Sequence, residues 1–284
     1  MRTVGLIPNR DSPIARELAH RAAAWLRTQG VGVRIPTREA DAAGLVEFGV
    51  TEDQFLRDVD VVVSLGGDGT MLHAASLVYP RDIPIVGINA GHLGYLTAFE
   101  AADLDVALQL LVDEQLCIAS RVVVECAVWS QEGETPTTYF GINEIVLEKL
   151  GGKMVRLEAS INGQAFTTYA ADGVIVATPT GSTAYSLSAR GPIVSPTARV
   201  MVLTPVSPHM LFDRSLVLGD DEAIEFVVTD ERSVALSVDG RSVAELGAGA
   251  RVRCTVAGSR ISLVSPTDLG FHQILKAKFS LPDR

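Results

Sequence analysis

The sequence predicts an α/β domain over residues 1–117, followed by an antiparallel, β-sandwich-like domain over residues 118–267. In the first part, apolar strand-like runs alternate with amphipathic stretches, a pattern typical of a parallel sheet covered by helices. In the second part, short strand-like segments follow one another, separated by Gly, Asn, Asp and Pro. Residues 268–284 are predicted to return to the first domain.

The α/β prediction depends on the order of its elements. They are a strand at 3–7, a helix at 12–29 ended by Gly30, strands at 31–35 and 60–65, a helix from the glycine loop to Val78, a strand at 83–89 and a helix at 101–114. The run at 60–65 contains three consecutive valines, as expected for a strand covered on both faces. This order predicts a doubly wound, Rossmann-like domain.

The β prediction depends on short segments of β-branched and aromatic residues. They lie at 121–129, 139–148, 157–162, 173–178, 200–205, 224–229, 233–239 and 251–256. Good helical stretches are few in this half, which favours an antiparallel sandwich. The tail at 271–279 is predicted to be a short helix.

Composition excludes several classes of protein. The net charge of −10 over 284 residues argues against a nucleic-acid partner, and no apolar run has the roughly 18 residues of a membrane span. The first eight residues lack the apolar core of a signal peptide. Cys117, Cys126 and Cys254 lie far apart without a CxxC, so neither disulfides nor a metal site is indicated. We therefore expect a cytoplasmic protein without a membrane partner.

The same charge constrains the kind of ligand site. If the ligands are phosphorylated anions, the overall field of the protein opposes them. Such a site must bind them locally through backbone N–H groups, helix N-termini and a metal ion.

The most distinctive motif is Gly66-Gly67-Asp68-Gly69-Thr70, directly after a buried strand. Its glycines allow a tight turn that brings N–H groups close to a ligand, and the following helix adds positive partial charge. A carboxylate among anion-binding amides repels phosphate unless it handles a proton or a metal. The alternative is a glycine-rich turn with Asp68 as helix cap. Neither a P-loop nor GxGxxG is present.

Two further segments carry polar groups in strand-like surroundings. Asn143-Glu144 interrupts an apolar run, and an amide beside a carboxylate can hold a vicinal diol such as ribose; a solvent-facing edge or turn remains the alternative. Residues 171–188 contain a buried run, a Pro-Thr-Gly turn and a hydroxyl-rich helix start that includes Tyr185. Its hydroxyls and amides can reach phosphate or base edges, although a capped helix also explains part of it.

These motifs, in this order and spacing, resemble the NAD kinases. The resemblance rests on the Gly66–Thr70 loop, on Asn143-Glu144, and on Asp172-Gly173 followed by Thr178-Pro179-Thr180-Gly181-Ser182-Thr183-Ala184-Tyr185. Gly91-His92-Leu93-Gly94-Tyr95 and Pro208-His209 also match family segments. The loop alone is unspecific, because diacylglycerol kinases, sphingosine kinases and phosphofructokinases carry related loops. The resemblance covers nearly the whole chain.

The resemblance implies an enzyme that transfers the γ-phosphoryl of ATP to the 2′-hydroxyl of the adenosine ribose of NAD, with NAD between the two domains. It implies that Asp68 accepts the proton and that the loop binds phosphate through Gly66, Gly67, Gly69 and Thr70. The NAD-binding residues that it implies are Gly69, Tyr95, Asn143, Glu144, Asp172, Thr183, Ala184, Tyr185 and Ser188. Magnesium would accompany ATP, and a homodimer or homotetramer is implied.

Arg190 departs from the family pattern, because a glycine is usual at this position. We therefore expect no strict requirement for a positive φ there. Ala170, two positions before Asp172, is small, and in the family a small residue there accompanies acceptance of NADH. Polyphosphate as a donor and feedback by NADP cannot be read from the sequence.

Two other functions compete with this one. A lipid kinase of the same superfamily needs an apolar substrate cleft and a membrane-binding element, and the acidic chain has no basic amphipathic helix. A non-catalytic dinucleotide sensor has little use for the Asp68 carboxylate at a phosphate site. Both are therefore weaker hypotheses than the NAD kinase.

Overall fold

The structure is a computed structural model and describes residues 2–91, 94–130, 135–265 and 270–281. It forms two compact units, one of Met1–Ser120 with Ile261–Arg284 and one of Arg121–Arg260. Each unit has its own hydrophobic core.

The strands, in chain order, are β1 (Thr3–Pro8), β2 (Gly32–Pro36), β3 (Gly49–Val50), β4 (Val61–Gly66), β5 (Ile85–Asn89), β6 (Phe99–Glu100), β7 (Cys117–Arg121), β8 (Val124–Trp129), β9 (Thr137–Gly141), β10 (Glu144–Lys149), β11 (Val155–Ile161), β12 (Gln164–Ala171), β13 (Gly173–Ala177), β14 (Val200–Val206), β15 (Leu216–Gly219), β16 (Ala223–Val228), β17 (Val234–Val238), β18 (Arg241–Leu246), β19 (Arg251–Val256) and β20 (Ile261–Ser265). The α-helices are α1 (Pro13–Thr28), α2 (Thr37–Ala43), α3 (Glu52–Asp58), α4 (Asp68–Val78), α5 (Leu104–Val112), α6 (Tyr185–Ser188) and α7 (Phe271–Lys278). Short 3₁₀ turns lie at Val46–Phe48, Ala101–Asp103 and Gly181–Thr183.

The first unit is built on a sheet with the strand order β3-β2-β1-β4-β5-β20-β7, and β6 pairs with β5. The strands from β3 to β5 pair in parallel. Helices cover both faces: Val4 of β1 packs in one cluster with α1 and α5. Its neighbour Gly5 faces the other way, where an added Cβ would overlap the Phe55 ring of α3. The predicted doubly wound α/β fold is confirmed.

The local signals around α1 are those that the sequence predicts. The Ser12 hydroxyl accepts the Ala15 N–H at 3.2 Å, Pro13 opens the helix, and Gly30 follows its end with φ 71°. Two short helices in the segment between residues 36 and 60 were not predicted. One of them, α3, begins with a capping box of Thr51 and Gln54, a signal present in the sequence.

The unit boundaries lie a few residues from the predicted domain limits. Strands β7 and β20 both belong to the first sheet, so the second unit begins at Arg121 and ends at Arg260 instead of spanning 118–267. The reason is hydrogen bonding: β20 pairs with β5 in parallel, with Leu263 opposite Ile85. This pairing joins residues too distant in sequence for local patterns to predict.

The second unit consists of two antiparallel sheets, with the orders β15-β14-β13-β10-β17-β18 and β12-β11-β16-β19-β8-β9. The inner faces of the two sheets share one hydrophobic core. Alternate residues of β8 point into this core, namely Val124, Cys126 and Val128. Strand β13 is buried throughout, because residues that follow α6 cover its outer face. The predicted sandwich-like architecture is confirmed.

One predicted strand is wrong. Residues 139–148 were expected to form a single strand, but the structure divides them into β9, which ends at Gly141, and β10, which begins at Glu144. The N–H groups of Ile142 and Asn143 leave the ladder and bind the carboxylate of Asp239. Within the described residues, no helix is long and apolar enough to cross a membrane.

Candidate functional site

The glycine loop joins β4 to α4 in the first unit. Gly67 occupies the N-cap position, and α4 begins at Asp68. Gly66 ends the buried strand, where an added Cβ would overlap the Thr70 side chain, so this glycine serves packing. An added Cβ at Gly67 or Gly69 would meet no heavy atom of the described chain within 4 Å. These two glycines therefore leave backbone open to a ligand.

A cavity of about 250 Å³ lies at this loop. It is lined by Pro8, Asn9, Arg10, Asp11, Glu39, Gly67, Gly69, Thr70 and His73. The Thr70 N–H donates to the Gly67 carbonyl at 3.0 Å, whereas the N–H groups of Asp68 and Gly69, which precede it, have no intrahelical acceptor. A helix N-terminus favours anions. The structure thus brings three of the four predicted phosphate-binding residues to one cavity; Gly66 is not among the residues that line it.

Glu39 organises one side of this cavity. It is 5% exposed, and its Oε1 lies 3.3 Å from Nε2 of His73 and 3.7 Å from Nε of Arg10. Burial raises the pKa of Glu39, but the hydrogen bond from His73 and the nearby positive charges outweigh it, and the pKa lies below its usual value. Sequence reasoning missed these residues, although Asn9 and Arg10 directly follow β1 at the same sheet edge as the loop.

Asp68 is not a side-chain cap of α4. Its Oδ2 accepts the N–H of Tyr95 at 2.8 Å, and its Oδ1 accepts the N–H of Leu96 at 3.0 Å. Gly94 packs so closely that an added Cβ would overlap the carboxylate. The structure therefore brings the Asp68 carboxylate and the Tyr95 backbone together. His92 and Leu93 of the same motif lie outside the described residues.

The Tyr95 ring is half-buried, and Nζ of Lys278 in α7 lies 4.6 Å from its centroid. Burial, with the Asp68 charge, raises the pKa of the Tyr95 hydroxyl. This hydroxyl therefore stays protonated at neutral pH and can donate a hydrogen bond.

Glu144 lies at the start of β10 in the second unit and is 6% exposed. Its Oε2 is buried without a hydrogen-bond partner among the described residues. Burial and the nearby Asp239 charge raise the pKa of Glu144 to about 7, while a backbone hydrogen bond from Tyr185 acts in the opposite direction. A buried carboxylate oxygen without a donor is costly, and a ligand hydroxyl is a donor that would complete it.

Asn143 lies beside Glu144 in the break between β9 and β10, and its backbone is fixed from two sides. The Asn143 carbonyl accepts the Thr178 N–H at 2.8 Å, and the Thr178 hydroxyl donates to the Ile142 carbonyl at 2.5 Å. Gly181 packs against the same carbonyl, where an added Cβ would overlap it. The Thr-Pro-Thr-Gly segment thus serves to hold Asn143.

The hydroxyl-rich segment has two kinds of residue. Ser182 and Ser186 are buried and bonded inside the unit, Ser182 to the Pro179 carbonyl and Ser186 to Thr204. The predicted ligand residues differ from them: Thr183 and Ala184 are half-buried, and Tyr185 and Ser188 are exposed. The structure therefore leaves the predicted four accessible and explains the other hydroxyls as loop structure.

The prediction for the backbone of Arg190 is wrong. It has a φ of 68°, so the position does take the left-handed conformation that we did not expect it to need. The cause is the end of α6: the N–H of Arg190 donates to the Leu187 carbonyl, and the N–H of Gly191 donates to the Ser186 carbonyl. This is a Schellman motif, in which the residue after the C-cap is left-handed and usually glycine.

Asp172 precedes β13 and forms an ion pair with Lys149, whose Nζ lies 2.6 Å from Oδ1. Next to it, the Ala170 carbonyl accepts the N–H of His209 at 2.8 Å, which places the predicted Pro208-His209 segment beside β12. Within the part of the chain that the structure describes, no group of three His, Cys, Asp or Glu residues could hold a metal ion.

Comparison with known protein families also divides the chain into an N-terminal and a C-terminal domain. Residues 4–116 match the ATP-NAD kinase N-terminal domain, and residues 142–265 match the ATP-NAD kinase C-terminal domain. The NAD kinase of Heliobacterium modesticaldum is 41% identical over 98% of both chains, and that of Moorella thermoacetica is 40% identical over 98% of this chain and 89% of its own.

Among solved structures, yeast NADH kinase complexed with NADH has a TM-score of 0.92 and 27% identity, covering 100% of this chain and 89% of its own. An NAD kinase from Archaeoglobus fulgidus in complex with ATP shares the fold, with a TM-score of 0.74, 23% identity, and coverage of 99% of this chain and 98% of its own. Full-length relatives above 30% identity and two matching domain models establish that the chain belongs to the NAD kinase family.

Proposed function

We propose that this enzyme transfers the γ-phosphoryl group of ATP to the 2′-hydroxyl of the adenosine ribose of NAD, giving NADP. The family match over the whole chain carries this proposal. The geometry supports it with two carboxylates in contrasting settings: Asp68 at the start of α4, fixed by two backbone N–H groups, and Glu144 buried with an oxygen that lacks a donor among the described residues.

Asp68 is proposed as the proton acceptor. Phosphoryl transfer depends mostly on positioning and charge stabilisation, and a ribose hydroxyl is a poor nucleophile at neutral pH. The two backbone N–H groups fix the carboxylate, and each of its oxygens keeps a further lone pair for a hydroxyl. The carboxylate can then orient the hydroxyl oxygen and take its proton as the new O–P bond forms.

Asn143 and Glu144 are proposed to hold NAD by its ribose. The unpartnered Oε2 of Glu144 supports this role, because a sugar hydroxyl would supply the missing donor. Tyr185, Thr183, Ala184 and Ser188 are proposed to line the adenine end, and Asp172 the nicotinamide half. Tyr185 supports this with a ring that is exposed and flat.

The phosphates are proposed to bind at the first turn of α4. Gly67 and Gly69 line the cavity there, together with the side chains of Arg10 and His73. Magnesium is proposed to enter as the MgATP complex, in which it neutralises phosphate oxygens. Such local charge would offset the net charge of −10.

NADH is proposed as a second acceptor. Ala170 is small and half-buried in β12, two residues before Asp172. The similarity to the yeast enzyme crystallised with NADH also supports it. We expect measurable NADH phosphorylation; activity below about one-hundredth of that on NAD, a loss of about 2.7 kcal/mol, would contradict this.

The enzyme is proposed to be a cytoplasmic homodimer or homotetramer. Its cysteines are free, in keeping with a reducing compartment. Leu211 is fully exposed, and nearby Phe166 and Phe212 pack edge to face at 5.6 Å, so the second unit has apolar surface that a copy of the chain could cover. Light scattering of the purified protein tests this.

One assay tests the main proposal. The full chain is incubated with NAD and MgATP, and NADP is measured with an NADP-specific dehydrogenase. The same assay with polyphosphate in place of ATP tests the donor. The wild type is expected to form NADP, and Asp68→Asn is expected to form it at least about 100-fold more slowly; no NADP with either donor would refute the activity.

A further inference from the structure

The hairpin turn between β17 and β18 carries a carboxylate with an unusual set of partners. Asp239 and Gly240 form the two-residue loop and have φ values of 47° and 75°. Two left-handed residues define a type I′ turn, in which Asp-Gly and Asn-Gly are both favoured. The turn by itself therefore accepts either Asp or Asn at position 239.

The Asp239 carboxylate binds three consecutive backbone N–H groups in the break between β9 and β10. Its Oδ2 accepts the N–H of Ile142 at 2.9 Å. Its Oδ1 accepts the N–H of Asn143 at 2.8 Å and that of Glu144 at 3.1 Å. The Asp239 N–H also donates to the Glu144 carbonyl at 3.0 Å. One side chain thus determines where the Asn143-Glu144 pair leaves the strand ladder.

We propose that Asp239 is a positioning residue for the acceptor nucleotide: it holds the backbone of Asn143 and Glu144 so that both side chains meet the ribose hydroxyls. This inference rests on the proposed NAD-binding role of that pair. Asp239 contacts the backbone of the pair, and it acts on the substrate through them.

The charge of Asp239 has a second effect on the same pair. Burial raises the pKa of Glu144, and the Asp239 charge raises it further. Burial also raises the pKa of Asp239 itself, against the three N–H groups and Arg241, which lower it. The Tyr185 hydroxyl lies within electrostatic reach of Glu144 and also of Glu148 and Asp172, and Asp172 is paired with Lys149 at the far end of β10. Removing the Asp239 charge should therefore let Glu144 ionise at lower pH.

The chain offers a matched control for the turn. Asn162 and Gly163 join β11 to β12 with φ values of 51° and 77°, and Oδ1 of Asn162 accepts the Ala223 N–H at 2.9 Å. An asparagine therefore already serves this kind of turn in the protein, and Asp239→Asn should keep the hairpin. Asn162→Asp makes the reverse change in a turn away from the Asn143-Glu144 pair.

In Asp239→Asn, the amide oxygen can still accept two of the three N–H groups, but the amide nitrogen faces the third. We expect KM for NAD to rise about tenfold or more, while kcat and KM for ATP change less than about threefold. The acid limb of kcat/KM for NAD should move to lower pH. Asp239→Glu keeps the negative charge but places it differently. KM for NAD should therefore rise, while the acid limb of kcat/KM for NAD should stay at the wild-type pH.

A merely structural role gives a different pattern. The proposal is overturned if Asp239→Asn leaves both KM for NAD and the pH profile as in wild type. It is also overturned if the activity falls equally at every pH, or if both Asp239 variants fail to fold while Asn162→Asp folds. Calorimetry of NAD binding separates the proposed role of Asp239 from the proposed reaction. If the wild type binds NAD but forms no NADP, the reaction is refuted, and the effect of the Asp239 variants on NAD affinity still tests the role of Asp239.

Discussion

In the first unit, Asp68 is half-buried and both of its oxygens accept backbone N–H groups; in the second, Glu144 is buried and its Oε2 has no partner among the described residues. The fold therefore gives each oxygen of the Asp68 carboxylate one backbone donor and leaves one oxygen of the Glu144 carboxylate without any. A carboxylate that is fixed by two N–H groups and keeps free lone pairs suits the proposed proton acceptor. A buried oxygen without a donor suits the proposed ligand contact, which gains its partner only when a ligand arrives.

The same contrast appears in what surrounds each group. The cavity near Asp68 has cationic and donor side chains, Arg10 and His73, held by the buried Glu39. Around Glu144 the neighbouring charge is negative, since Asp239 lies beside it. The first region therefore offers positive charge and hydrogen-bond donors to the proposed phosphates, and in the second region burial and the Asp239 charge disfavour the ionised form of Glu144. Asp68→Asn and Glu144→Gln test this comparison, and Arg190→Gly tests a smaller, local effect.

The largest effect is expected for Asp68→Asn. The amide keeps the shape of the side chain but cannot take a proton, so kcat should fall about 10²- to 10⁴-fold with little change in NAD affinity. Steady-state NADP formation measures the first quantity, and calorimetry the second. A fall in kcat at constant KM marks an interaction made in the transition state.

Because Asp68 also binds the N–H groups of Tyr95 and Leu96, this variant needs a control for loop disorder. Gly94→Ala supplies it: the added Cβ overlaps the carboxylate and displaces it without changing its chemistry. If Asp68→Asn keeps more than about a tenth of the activity, a loss under about 1.4 kcal/mol, or loses no more than Gly94→Ala, Asp68 only organises the loop.

The second effect concerns stability and pH. Because the pKa of Glu144 is raised from 4.5 to about 7 in the fold, the folded state favours its protonated form. The resulting stabilisation is complete below the unfolded pKa and is lost as pH rises through about 7. Relative to Glu144→Gln, the ligand-free wild type should lose about 3 kcal/mol of unfolding free energy over this range.

Urea denaturation of both proteins at several pH values between about 5 and 8 measures this difference, because the other ionisable groups are common to both. Saturating NAD should reduce the difference in unfolding free energy between the two proteins at the highest pH values. A gap that does not change with pH would show that Glu144 is solvated and ionised in the fold.

The third effect is on NAD affinity. Above about pH 7, Glu144→Gln should weaken NAD binding about 10- to 100-fold, since a hydrogen bond to a charged acceptor is lost. Below that pH the wild-type carboxyl is protonated, so the two proteins should converge. Glu148→Gln, half-buried on the same strand, is the control. Normal NAD binding by a variant that unfolds easily would make the Asn143-Glu144 pair structural.

The smallest effect is expected for Arg190→Gly. Arginine in the left-handed region costs about 1–2 kcal/mol, and the entropy of glycine in the unfolded chain offsets part of that. We expect a net gain of about 0.5–1 kcal/mol in unfolding free energy by urea titration, and no gain for Arg190→Ala. A loss of stability in Arg190→Gly would mean that the arginine side chain makes stabilising contacts of its own.

Local patterns predicted most of the fold. The helix of 12–29, the valine run of β4 and the turn-separated strands of the second unit depend on periodicity and on turn residues close in sequence. The wrong strand has a non-local cause: the local pattern of 139–148 indicates one strand, but its break at Asn143 depends on a side chain 96 residues away.

The residues of the candidate site also fall into those that local sequence patterns identify and those that depend on distant partners. The glycine loop, Asn143-Glu144 and the segment around Tyr185 were identifiable because each is unusual within a few residues. Glu39, His73 and Asp239 were not, because each gains its role from a partner distant in sequence: 34 residues separate Glu39 from His73, and 95 separate Glu144 from Asp239. The Asp-Gly pair at Asp239 was visible as a turn signal, but nothing local shows where its carboxylate binds.

The sequence alone determined the α/β and sandwich-like architecture, the motif set and the family resemblance, since these depend on apolar periodicity and on short runs of glycine and polar residues. Only the tertiary structure decided that β20 joins the first sheet, that Arg190 is left-handed and that the Glu144 oxygen lacks a donor. The physical reason is that hydrogen-bond satisfaction and desolvation depend on which distant groups share a buried volume, and folding sets this through the packing of the whole unit.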